Sequence, residues 1–252
     1  MHRFSEKNMR IDTYLSQKGE LRSRTEAKNY IEKGLVTVNG KLVLKPSFEV
    51  REDDEVVVDK AGTKYVSRGG FKLEGALNYF KISPHGRRAI DIGASSGGFT
   101  DCLLKNGAKS VIAVDSGTNQ LVADLRTDDR VTVMENYNAR YMKPSDFDYS
   151  PDFAVMDVSF ISATLIIPAL HEVLLDGSDF ICLIKPQFEV GREHIGKGGI
   201  VKDETARRLA IERVVSSAVA SGFEHVGTTT SSITGGDGNI EYLAYFRSRK
   251  KL

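Results

Sequence analysis

The sequence predicts an α/β chain: a mainly parallel seven-stranded sheet covered by helices on both faces, preceded by a small α+β domain. Three observations lead there. From Arg88 onward short apolar strands alternate with helical segments, and that alternation calls for a parallel sheet wrapped on both sides. Ahead of it, residues 7–58 hold two short amphipathic helices and a hairpin signal. Between the two lies Ala61-Gly62-Thr63, which reads as a hinge. The expected boundaries are residues 1–60 for the small domain, 61–66 for a linker and 67–252 for the larger domain. A chain of 252 residues has room for both, at about 100–200 residues per domain.

The small domain is well punctuated. Ile11 and Leu15, four apart with Tyr14 beside them, give the inner side of a first helix. Ser23 precedes Glu26 by three, the spacing of a capping box, and starts a second helix with Ala27, Tyr30 and Ile31 inward. Gly34 stands where a left-handed stop is expected. Residues 35–43, LVTVNGKLV, alternate around Asn39-Gly40, which predicts a two-residue hairpin turn. Val50 and Val56–Val58 supply further strand.

In the larger domain the expected strands are Ala89–Ile92, Ser110–Asp115, Val131–Val133, Phe153–Asp157, Phe180–Lys185, Glu224–Thr229 and Tyr242–Phe246. The expected helices are Phe99–Asn106, Thr118–Leu125, Ser162–Leu175 and Glu204–Ser221.

Composition narrows the function classes. Forty percent apolar and 27% charged residues are ordinary for a globular chain. Two cysteines, Cys102 and Cys182, exclude a disulfide scaffold. No run of about 20 apolar residues occurs, so no membrane partner is expected. The stretch MHRFSEKNMR lacks the apolar core of a secretory signal, and cytoplasmic residence is expected. The five histidines lack metal-ligand spacing, so no metal is expected. The net charge of +1 hides a segregation: residues 7–45 carry nine Lys/Arg against four Asp/Glu, and residues 61–88 carry six against one. A polyanion along the N-terminal third would account for this excess.

Arg24 and Lys28 lie four apart on the second helix, Arg22 just before it, and Arg10 opens the first. Together with SRTEAKNYIEKGLVTVNG, residues 23–40, this resembles the S4-type RNA-binding domain of a ribosomal protein and of pseudouridine synthases. The resemblance implies docking onto structured RNA through Arg10, Arg22, Arg24 and Lys28. Arg68, in Tyr65–Gly70, is expected to guide RNA from one domain to the other.

Asp91–Gly98 reads DIGASSGG, between an apolar strand and a helix. Glycines there let backbone approach a ligand closely. Asp115 ends the next strand, where an acid can accept the hydroxyls of a ribose. Gly93 is followed by Ala94-Ser95-Ser96 before Gly97, so the dinucleotide fingerprint is not met. The loop resembles the first motif of S-adenosylmethionine-dependent methyltransferases. That implies a cofactor held by Asp91, Gly93, Ala94, Ser95, Gly97, Gly98, Phe99 and Asp115, with Asn138 or Asn136 at the adenine; Asn138 is preferred.

Lys72 lies before the first strand. Asp157 and Lys185 end the fourth and fifth strands, and Glu241 opens the last. In open α/β sheets ligands sit beyond the carboxyl ends of strands, which brings Asp157 and Lys185 to the crevice of the glycine loop. The four residues match the Lys-Asp-Lys-Glu tetrad of FtsJ-like ribose 2′-O-methyltransferases. The phrases VSRGGFKL, DIGASSGGFTDCLL, DVSFIS, IKPQFE and GNIEYL resemble the TlyA family, also known as haemolysin A. The resemblance implies a Rossmann-like class I methyltransferase domain behind the S4-type domain. It also implies methylation of cytidine 2′-hydroxyls in ribosomal RNA, free or in a ribosomal subunit, with Lys72, Asp157, Lys185 and Glu241 as catalytic residues. Lys185 is expected to be the base. The haemolysin label suggests a rival, membrane-damaging function; a non-catalytic RNA-binding factor is a third reading. Base methylation fits less well: Asp157-Val158-Ser159-Phe160 lacks the Pro-Pro-aromatic pattern of amine methylation, and Cys102 and Cys182 read as packing residues. Arg192 and EHIGKGGIVK, residues 193–202, read either as a mobile loop closing over RNA or cofactor or as an ordinary solvent loop.

Overall fold

The structure, a computed structural model, describes residues 8–21, 23–32, 34–59, 64–235 and 238–250. The chain divides into two compact units, Met1–Arg68 and Gly69–Leu252. Of the expected linker, residues 61–63 lie outside the described residues, and so does Arg22.

In the first unit, strand β1 (Met9–Arg10) leads into helix α1 (Ile11–Gln17), and helix α2 (Arg24–Glu32) follows. Then come β2 (Val36–Val38), β3 (Lys41–Leu42), β4 (Glu49–Val50) and β5 (Val56–Val58). β1 pairs with β4, and the other three form a sheet in the order β3-β2-β5. Ile11, Leu15, Ala27, Ile31, Val36 and Val38 meet in one core. The helix spacing of the first four and the strand alternation of the last two bring them to a common side. The turn joining β2 to β3 has Asn39 and Gly40 at φ 51° and 71°, the two left-handed residues a tight hairpin needs. At the start of α2, Ser23 Oγ accepts the Glu26 N–H at 3.1 Å, an N-cap bond.

The second unit opens with α3 (Gly69–Phe80). Its core elements are β6 (Arg88–Ile92), α4 (Gly98–Lys105), β7 (Ser110–Val114), α5 (Ala123–Arg126), β8 (Val131–Met134) and β9 (Phe153–Met156). Then follow α6 (Ile167–Val173), β10 (Asp179–Ile184), α7 (Pro186–Glu189), α8 (Glu204–Ala220), β11 (Phe223–Thr230) and β12 (Tyr242–Ser248). One seven-stranded sheet runs β11-β12-β10-β9-β6-β7-β8. β6 to β10 pair parallel, while β12 is antiparallel to both β10 and β11. From β6 the chain first moves outward through β7 and β8, then returns to β9 on the other side. That reversal opens a crevice at the carboxyl ends of β6 and β9.

Two helical expectations needed revision, and one helix was unexpected. The expected helix Thr118–Leu125 survives only as α5, because the Glu135 carboxylate accepts the N–H groups of Asn119, Gln120 and Leu121 and holds them as a loop. The expected helix Ser162–Leu175 is a 3₁₀ turn, Ala163–Leu165, and then α6, with Pro168 in the first turn of that helix. α3 was not expected at all. Its Gly69, Gly70 and Gly75 lower helix propensity. Burial of Leu73, Ala76 and Leu77 at helical spacing outweighs that cost.

Candidate active site

The glycine loop is built where β6 ends. Gly93 has φ +83°, and a Cβ added there would lie 2.3 Å from the Asp157 carbonyl oxygen. Only glycine therefore lets β6 and β9 end side by side with a ligand-sized opening above them. Asp115 ties the loop to the next strand. Its Oδ2 accepts the Ser95 N–H at 2.8 Å, and its Oδ1 accepts the Gly117 N–H at 2.7 Å. A carboxylate oxygen can accept more than one donor, so both remain able to receive hydroxyls.

A cavity of about 340 Å³ stands over this loop, with Gly93, Ser95, Asp115, Tyr137, Asn138 and Asp157 in its lining. Of the two asparagines weighed for the adenine end, Asn138 is in the lining. Asn136 accepts the Thr118 hydroxyl at 2.6 Å instead. Asp91, Ala94, Gly97, Gly98 and Phe99 are not in the lining; all five are buried beneath it. Asp91 is fully buried, with Thr100 Oγ1 donating to Oδ2 at 2.7 Å and Oδ1 left without a partner. Burial pushes its carboxyl up to about 7; the Thr100 hydrogen bond opposes that shift, and the negative charges of Asp157 and Asp115 add to it.

The tetrad forms two ion pairs. Lys185 Nζ lies 2.5 Å from Asp157 Oδ1, a close charge contact off the hydrogen-bonding angle, and donates to Ser159 Oγ at 2.9 Å. Lys72 Nζ donates to Glu241 Oε2 at 2.5 Å, and both residues are buried. The strand register explains the convergence. Ile184 on β10 faces Tyr242 on β12, so Lys185 and Glu241 are the next positions beyond that pair. Met156 on β9 faces Ile92 on β6, and Asp157 follows it. Three of the four side chains thus leave three adjacent strands at one edge of the sheet. The fourth arrives from the first turn of α3.

The model of the FtsJ-like methyltransferase family matches residues 65–248, and that of the S4 domain matches residues 9–56. The chain belongs to the FtsJ-like methyltransferase family. It is 48% identical over 240 residues to a Bacillus subtilis protein named "Putative rRNA methyltransferase YqxC", covering 95% of this chain and 85% of that one. It is 40% identical over 241 residues to a Mycobacterium tuberculosis protein named 16S/23S rRNA (cytidine-2′-O)-methyltransferase TlyA, covering 95% of this chain and 90% of the other. A solved structure described as a "putative hemolysin" from Streptococcus thermophilus superposes with a TM-score of 0.77 at 46% identity, covering 98% of this chain and 90% of that one. The second unit is thus an S-adenosylmethionine-dependent methyltransferase domain, and the first is an S4 domain.

Within the S4 domain the expected RNA-binding arginines are organised rather than loose. Asp12, 4% exposed, accepts Arg10 Nη2 and Arg24 Nη2, each at 2.9 Å. The Arg10 hydrogen bond, with help from Arg24, holds the Asp12 carboxyl well below the usual range against the opposing effect of burial. Both guanidinium groups stay at least half exposed, so each keeps donors for another anion. Lys28 pairs loosely with Glu32 at 3.7 Å. Arg68 is half-buried, its Cδ against Gly34.

The methyltransferase domain also holds site residues that the sequence reading missed. Ser159 and Phe160 line the cavity directly after Asp157. Phe160 is 92% exposed at φ +64°, a backbone region a bulky residue rarely adopts, and its ring centroid is 5.2 Å from that of Phe188. Glu189 holds this segment in place: its oxygens accept Ser162 Oγ at 2.5 Å and the Ala163 N–H at 2.8 Å. On the other wall, the Tyr137 hydroxyl donates to Asp146 Oδ2 at 2.5 Å, which fixes the ring at the cavity edge. The available signal was an aromatic three residues after a strand-terminal Asp.

Proposed function

We propose that this protein methylates a cytidine ribose 2′-hydroxyl in ribosomal RNA, working in the cytoplasm, with Lys72, Asp157, Lys185 and Glu241 as its catalytic group. One observation carries the reading: the four side chains form two ion pairs at the sheet edge, and Asp157 also lines the cavity.

The cavity residues fit S-adenosylmethionine. Asp115 offers carboxylate oxygens for a ribose, and the Gly93 cradle admits a ligand where a Cβ would meet backbone. Asn138 and Tyr137 flank the adenine end; Asp91, Ala94, Gly97, Gly98 and Phe99 support the loop from behind. When bound, the cofactor supplies a methyl group on a sulfonium, which departs as a neutral thioether.

The residues of the chain do the rest. A ribose hydroxyl becomes a competent nucleophile only as its proton is withdrawn. Lys185 Nζ, as the neutral amine, takes that proton while the new O–C bond forms and the C–S bond breaks; the ammonium that results pairs with Asp157, as in the structure, and returns its proton to solvent before the next turnover. Ser159 fixes the amine by accepting a hydrogen bond from it. The Lys72–Glu241 pair, buried beside them in register, holds the ribose in line with the methyl group, a positioning effect. Phe160 presents an open aromatic face on which the base of the target nucleotide stacks. The arginines held by Asp12, together with Lys28, dock the S4 domain on the phosphate backbone of the RNA.

Among the described residues no helix is long and apolar enough to cross a membrane. The test is the product. Incubating the protein with ribosomal RNA and methyl-labelled cofactor, then digesting the RNA to nucleosides, should place the label in 2′-O-methylcytidine. Label in a base-methylated nucleoside would overturn the reading.

A further inference from the structure

The loop that joins α7 to α8 carries Arg192, Lys197 and Lys202, all exposed. The backbone of this loop is hydrogen-bonded to Asn239. Asn239, 1% exposed, uses its amide on both sides. The Val201 N–H donates to Asn239 Oδ1 at 3.0 Å, and Asn239 Nδ2 donates to the Gly199 carbonyl at 3.0 Å. The loop also closes on itself, Gly196 N to Ile200 O at 2.9 Å and Gly199 N to Gly196 O at 3.1 Å. A buried amide with donor and acceptor both satisfied specifies one arrangement, since any other leaves polar atoms unpaired.

The same turn seats the catalytic glutamate. The Asn239 carbonyl accepts the Gly235 N–H at 2.9 Å, and a Cβ added to Gly235 would lie 2.5 Å from Glu241 Oε1. Asn239 is therefore fixed on one side to the cationic loop and on the other to the turn that carries the partner of Lys72.

We propose that Asn239 is a positioning residue for the RNA substrate: it registers the Gly196–Lys202 loop against the Glu241 turn, so that Lys197 meets the phosphate backbone of the strand being methylated. The inference rests on the RNA-methylation reading above. A polyanion is the partner this loop suits, because its lysines are exposed and its glycines leave the backbone open to close approach.

The experiment uses the full-length protein, ribosomal RNA and S-adenosylmethionine. It compares wild type, Asn239→Ala, Lys197→Ala and the double variant for KM of RNA, kcat, affinity for S-adenosylhomocysteine and salt dependence. Lys197→Ala should lower the slope of log KM against log salt by about one, the loss of one phosphate contact. Asn239→Ala should lower that slope similarly although it removes no charge, with cofactor affinity kept. The double variant should be no worse than the poorer single one, because both remove the same contact. A loss of fold alone would not move a salt slope. If wild type methylates the RNA and Lys197→Ala, an exposed change that cannot unfold the protein, keeps the wild-type KM and slope, the proposal is overturned. Fully additive effects in the double variant would overturn it too. No methylation by wild type would instead defeat the underlying reading.

Discussion

Lys185→Ala is expected to bind S-adenosylhomocysteine as wild type does and to transfer methyl at least about a hundredfold more slowly. The loss of a positioned base typically costs about 10²–10⁴ in rate, or roughly 3–5 kcal/mol of barrier. Folding should survive, because Asp157 lines the cavity and water can replace the missing ammonium. Asp115 is held by the N–H groups of Ser95 and Gly117, not by Lys185, so cofactor affinity should hold. Single-turnover kinetics with saturating RNA separates the chemical step from binding. Near-normal turnover would remove Lys185 from the role of base.

Glu241→Ala is expected to damage stability and turnover together. Glu241 is 3% and Lys72 8% exposed, so the variant strands an ammonium in the protein interior. Breaking a buried pair from one side costs about 3–5 kcal/mol, a large part of the stability of an ordinary domain. The double variant Lys72→Met, Glu241→Leu should recover most of that loss, since an apolar pair of similar volume needs no compensation, yet it should remain inactive. Urea denaturation beside a methylation assay tests both halves. If Glu241→Ala denatures at the wild-type urea midpoint, the pair is not the buried interaction described here.

The legible parts of the fold were those written by local rules. Asn39-Gly40 dictates its turn through two left-handed residues, and the alternation of β2 follows from one buried side. The strands of the methyltransferase domain were legible because central parallel strands are apolar throughout; β10 is buried at every position. The glycine loop and Asp115 were legible because close backbone approach restricts residue choice. What stayed hidden depends on distant partners. Glu135 captures three N–H groups of residues 119–121 and turns an expected helix into a loop, and no pattern within that stretch announces it. α3 is a helix because of what Leu73, Ala76 and Leu77 pack on, in spite of its glycines.

For the site, the four tetrad residues were identified by resemblance, and the structure joins them as two ion pairs. The pairing follows from strand register, which is invisible before the order β12-β10-β9-β6 is known. Ser159, Phe160 and Glu189 were passed over for the same reason. Their roles come from contacts between the segment after β9 and α7, about 25 residues apart in the chain.

The most direct test is a crystal structure of the protein with S-adenosylhomocysteine. The proposal predicts the ribose hydroxyls on Asp115, the adenine beside Asn138 and the sulfur facing the Asp157–Lys185 pair. A sulfur directed away from that pair, or a product lodged outside the Gly93 crevice, would contradict it.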